Sequence, residues 1–192
     1  MSKRALLFLL GLLLVLSACS ENAPHRDFSV EDLLVDPSVF PSSWRLVAEG
    51  IPPDQEEKWA TEANGFSLDT GLPDLTPADL SIYRYKSVRS ASSAYDKWEP
   101  RNFNSSSIGA QTPWEAPPEL PYESPTADKS RFACHISSIT QTTICQFMGQ
   151  YEEFLVIFYT GFDGKHMTFA DLQRILQAID ARMAHYLKGK IH

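Results

Sequence analysis

The stretch Phe154–Phe162, FLVIFYTGF, is nearly all apolar. A short run without polar alternation reads as a strand buried at the centre of a sheet. It is followed by Met167–Leu187, MTFADLQRILQAIDARMAHYL, whose period is that of an amphipathic helix. Phe169, Leu172, Ile175, Leu176, Ile179 and Met183 form its apolar stripe, and Gln173, Arg174, Gln177 and Asp180 its wet face. Thr168 is placed to cap it, with Asp171 three residues on and Met167 able to staple onto Leu172. At ~1.5 Å per residue such a helix is about 30 Å long, enough to cross a sheet. Its stripe needs a partner, and FLVIFY is the partner at hand.

The preceding segments fit the same sheet. RFACHIS and TICQFMG read as two more strands, and the short connectors SITQT and QYEE make antiparallel hairpins the natural linkage. Cys134 and Cys145 then face one another across the first hairpin, within reach of a disulfide. Further upstream, Trp44–Glu49 and Leu80–Val88 read as strands. Ala91, Ala94, Tyr95 and Trp98 lie on one helical face behind a Ser90 cap, with Pro100 just past the end. FSVEDLLVDP reads as a short helix capped by Ser29 and ended by Pro37. Residues 50–79 are rich in proline and acid and receive no element. Residues 104–130 hold Pro113, Pro117, Pro118, Pro121 and Pro125 and read as a long, partly extended loop, into which Trp114 and Tyr122 bring packing.

Strands run together, with helices set to one side, predict an α+β fold. The expectation is one domain over 28–192: a mostly antiparallel sheet with the C-terminal helix packed on one face. The architecture loosely resembles the sensor-like and PsbP/Mog1-like α+β domains that many bacterial lipoproteins carry.

The N-terminus fixes an expected address. Lys3 and Arg4 precede the apolar block Ala5–Leu16, and small residues follow. This is the pattern of a secretory signal, too short to span a bilayer, which takes ~20 residues. Leu16-Ser17-Ala18-Cys19 resembles the bacterial lipobox. The resemblance implies cleavage after residue 18 and lipid attachment at Cys19, with two or more acyl chains giving stable anchoring. Residues 19–27 then serve as a polar tether. With Ser20 after the cysteine, the general sorting rule for such lipoproteins permits transfer to an outer membrane where one exists. The expected location is the extracytoplasmic face of a membrane.

Removing residues 1–18 takes away Lys3 and Arg4 and no acid. The remaining chain holds 15 basic and 24 acidic residues, a net charge of −9. Nucleic acid, which calls for a basic face, is not an expected partner. An exported chain with two cysteines beyond the lipobox is expected to oxidise them to a Cys134–Cys145 disulfide. His135 beside Cys134 is a poor metal pair, because strand neighbours point to opposite faces.

No G-x-S-x-G, glycine-rich phosphate loop or H-E-x-x-H occurs. The five histidines are scattered, and Glu56-Glu57 and Glu152-Glu153 are sequence neighbours, the latter pair read as a solvated turn. No catalytic residue, metal or cofactor is expected. The aromatic residues are the remaining lead, with Trp59, Trp98 and Trp114 as candidate ligand contacts beside the Pro-rich loop. The expected role is a non-catalytic accessory or assembly subunit binding a protein of the cell envelope. The alternative is a ligand-binding or sensing lipoprotein with an aromatic pocket.

Overall fold

The computed structural model describes residues 25–50, 58–104 and 111–188. The lipobox and Cys19 lie outside the described residues. Strands β1 (Arg45–Glu49), β2 (Glu62–Asp69), β3 (Ala78–Arg84), β4 (Lys129–Ile136), β5 (Thr143–Tyr151) and β6 (Phe154–Phe162) make one antiparallel sheet. Its order is β1-β2-β3-β6-β5-β4. Helix α1 (Val88–Asn102) follows β3, and α2 (Phe169–Lys188) follows β6. The chain is a single α+β domain.

β6 is central and pairs with both β3 and β5. Its period-two alternation explains its apolar composition. Phe154, Val156 and Phe158 enter one core with Leu172, Ile175, Leu176, Ile179 and Met183 of α2. Leu155 enters a second core with Ala91, Ala94, Tyr95 and Trp98 of α1, and Ile157 and Tyr159 pack against it. The helices therefore cover opposite faces of the sheet, where the sequence reading placed them on one side. The N-terminal segment joins the α2 face, where Phe28, Val30 and Leu33 are buried.

Several local readings change. The helix expected after Ser29 is two 3₁₀ turns, Glu31–Leu33 and Pro37–Val39. Ser29 and Asp32 do exchange the expected hydrogen bonds, but Pro37 lacks the N–H that would carry the helix onward. β3 stops at Arg84, and Ser87 rather than Ser90 caps α1, accepting the Ser90 N–H at 3.1 Å. α1 continues through Pro100, and the Phe103 N–H closes it on the Glu99 carbonyl at 3.0 Å.

Residues 50–79, left without an element, contain β2, a full strand between β1 and β3. Gly65 of β2 packs so closely on β3 that a Cβ there would stand 2.5 Å from the Leu80 carbonyl oxygen.

Two acids placed in solvent are buried. Glu153 is fully buried at the β5–β6 turn, where the Arg26 Nε and Nη2 donate to its two carboxylate oxygens at 2.8 Å each. Arg26 also pairs with Glu152, and Arg84 stands 3.7 Å from Glu153. The end of the expected tether thus belongs to the fold. Asp180, assigned to the wet face of α2, is 4% exposed.

The described part of the Pro-rich loop wraps the β4 edge. Trp114 packs on the α1 face, whereas Leu120 and Tyr122 pack on the α2 face. Between them Glu115 and Cys134 exchange backbone hydrogen bonds of 3.1 and 2.8 Å, which covers the edge strand.

Candidate functional site

The strand-to-helix turn after β3 builds one wall of a pocket. Tyr85 leaves the sheet with its N–H donated to the Glu153 carbonyl at 2.9 Å. Lys86 follows, and Ser87 starts α1. On the helix, Arg89, Ser93 and Lys97 recur at i, i+4 and i+8, beside Ser90, Ala94 and Trp98 at the same spacing, so both rows look out along one side. The opposite wall is Lys58-Trp59, ahead of β2. Thr61 pins it there by donating its N–H and hydroxyl to the Arg84 carbonyl at 2.7 and 3.0 Å.

The two walls are laced together by a crossed pair of cation–π contacts. The Lys97 ammonium stands 3.7 Å from the ring centroid of Trp59, and the Lys58 ammonium 3.6 Å from that of Trp98. Each Lys-Trp dipeptide lends its cation to the indole of the other. Trp59 is 74% exposed and has φ +56°, in the left-handed region rare for a bulky residue. Its ring is held by the Lys97 ammonium rather than by burial. Trp98 is buried at 7% exposure.

Between these walls lies a cavity of about 520 Å³, within the range of ligand pockets. Tyr85 lines it while being 3% exposed, and its hydroxyl has no hydrogen-bond partner among the described residues. Burial pushes this phenol well above its ordinary pKa, with a smaller push from Tyr83, so it stays a neutral donor. The described lining residues include Lys58, Lys86, Arg89 and Lys97 and no acid. Such a site can hold and orient a ligand by stacking, charge and one buried hydroxyl.

Of the three candidate aromatics, the structure brings Trp59 and Trp98 together at this pocket. Trp114 sits elsewhere, at 6% exposure, with its ring 5.3 Å from Phe103 and 4.0 Å from His135. Lys86 and Arg89 were not singled out from the sequence, and nor were Lys58 and Lys97. The signal that could have found them is the repeated Lys-Trp dipeptide, at 58–59 and 97–98.

Cys134 and Cys145 are register partners across β4 and β5, with Cα atoms 4.0 Å apart and joined by a disulfide. His135, on the other face, is buried, and burial lowers its pKa against a weaker opposing hydrogen bond with the Ile136 carbonyl. His166 bonds Asp163 through Nδ1 at 2.7 Å in the turn before α2. Among the described residues, no helix is long and apolar enough to cross a membrane.

No known protein family matches the chain, and no curated protein matches it. Among solved structures it is similar to the extracellular domain of PknH from Mycobacterium tuberculosis, at 9% identity and a TM-score of 0.49, over 82% of this chain and 100% of that one.

Proposed function

We propose that the chain is an extracytoplasmic, lipid-anchored, non-catalytic binding module, and that the Trp59–Trp98 pocket takes a small ligand. The address is supported by the signal pattern and the lipobox resemblance at Leu16–Cys19, and by the disulfide between Cys134 and Cys145. The pocket reading is carried by one observation. An exposed indole held over a cavity by a cation from the opposite wall, above a buried hydroxyl without a partner among the described residues, is an arrangement that filling a core does not call for. It favours the ligand-binding expectation over the accessory-subunit one.

The test is a small-molecule screen on the exported full-length protein in mild detergent, read by tryptophan emission and thermal unfolding together. A binder raises Tm and shifts emission, and Ser93→Trp, which fills the cavity, abolishes both responses. A library that moves neither readout, or hits indifferent to Ser93→Trp, overturns the pocket. Fatty-acid labelling tests the address: label on the wild type and none on Cys19→Ser is expected, and an unlabelled wild type overturns it.

A further inference from the structure

We infer that the ligand is an organic anion, a carboxylate or phosphate carried on a flat apolar body, with its charged end set against Lys86, Arg89 and the Tyr85 hydroxyl. This rests on the reading of the cavity as a ligand pocket, and adds the chemistry of what enters it.

Charge is the first argument. The chain carries a net −7, yet four bases and no acid stand among the described lining residues. Against that background a cluster of one sign focuses a field that concentrates anions and repels cations. Among the described residues, neither Lys86 nor Arg89 has a carboxylate within ion-pair distance. Elsewhere Lys129 and Arg131 of β4 do pair, with Asp96 and Glu99 of the same helix.

The second argument is the hydroxyl. Tyr85 is buried, its oxygen has no hydrogen-bond partner among the described residues, and it lines the cavity. A buried donor left unpaired is costly, so it marks a place where an acceptor is expected. It lies beside the start of α1, whose first turn holds no acidic residue and whose amide end is positive.

The third argument is size. A bare inorganic anion would leave most of about 520 Å³ empty and would not use the Trp59 and Trp98 walls. Indole faces offer a flat apolar body a large contact area. A neutral ring would use the walls and leave the cations and the hydroxyl idle.

The experiment is calorimetric titration of the exported full-length protein in mild detergent with phenyl phosphate, benzoate, inorganic phosphate and benzyl alcohol. A parallel arm uses phosphatidylcholine vesicles with and without phosphatidylglycerol, because a lipid headgroup is another source of the same charge. The expected result is that phenyl phosphate or benzoate binds about tenfold or more tightly than benzyl alcohol and inorganic phosphate. Added salt weakens that binding, and Arg89→Gln or Tyr85→Phe lowers it about five- to tenfold while benzyl alcohol is unaffected. Arg89 is exposed, so its variant tests binding in a folded protein.

Equal binding of benzyl alcohol overturns the anion and leaves the pocket standing. Equal binding of inorganic phosphate overturns the apolar body. Binding to phosphatidylglycerol vesicles with no response to soluble anions overturns a soluble ligand in favour of the membrane surface. If no anionic probe binds, the inference falls, while the pocket itself stands or falls on the screen alone.

Discussion

The carboxylate of Asp180, on the sheet side of α2, accepts the phenol proton of Tyr151 of β5 at 2.6 Å. The same carboxylate accepts from Ser124 at 2.6 Å, from Thr126 at 2.9 Å and from Tyr122. All three belong to the Pro-rich loop, so one acid ties that loop, the sheet and the C-terminal helix together. Asp180→Ala strands the buried Tyr151 hydroxyl and the half-buried hydroxyls of Tyr122, Ser124 and Thr126 at once, and is expected to cost roughly 3–5 kcal/mol, read from the urea midpoint. Tyr151→Phe removes one donor only, at about 1 kcal/mol. Similar losses for the two variants would refute the shared-acceptor account.

The Arg26–Glu153 pair is the next pressure point. Glu153 is fully buried, and the Arg26 side chain is 7% exposed. Its hydrogen bond to Glu153 lifts the guanidinium pKa, against the opposing effect of burial. Glu153→Ala leaves Arg26 without its main partner and is expected to cost ~3–5 kcal/mol, with Arg26→Ala similar. Amide exchange should then accelerate through residues 26–33. Unchanged exchange there would show that Phe28, Val30 and Leu33 hold that segment unaided.

Cys134 and Cys145 are separated by 11 positions. Loop-closure entropy for a loop that short predicts about 3 kcal/mol of stabilisation. The Cys134→Ala, Cys145→Ala double variant is therefore expected to unfold at lower denaturant, and non-reducing mass mapping of the wild type to return one linked peptide. Two free thiols in freshly exported protein would sink the assignment.

Asp163 contributes to the acid side of the stability curve. Burial pushes its pKa up, but hydrogen bonds from the His166 ring and from the N–H groups of Lys165, His166 and Met167 outweigh this and hold it well below the usual carboxylate range. A carboxyl depressed in the folded state contributes stability that is fully present above its unfolded value, near ~4, and is lost as pH falls through the folded one. The stability gap between wild type and Asp163→Asn should therefore narrow on acidification below about pH 4. A gap that widens would contradict the sign.

What could be read in the sequence follows from the range of the forces involved. The C-terminal helix and β6 were legible because a stripe and an apolar run are local patterns. The cysteine pairing was legible because two short hairpins fix register. β2 was missed because EANGFSLD carries Asn, Gly and Asp, residues depleted in strands, and its place between β1 and β3 is a tertiary choice. Asp180 and Glu153 were read as wet because an acid looks solvated until its partners are known. Here those partners lie between 29 and 127 positions away. The pocket was half visible: Trp59 and Trp98 were candidates, but their crossing with Lys97 and Lys58 joins segments whose proximity only the fold supplies.

The Arg26 clasp also decides how the domain carries force. Traction arriving along the N-terminal segment reaches the fold at Arg26 and passes to the turn between β5 and β6. β6 is gripped by a strand on either side, and β5 likewise. The weakly held outer strand β1 lies downstream of that grip and is spared until the ion pair yields. The clasp acts as a strain relief, so a jerk on the N-terminal segment is taken by the best-bonded part of the sheet rather than by its loose margin.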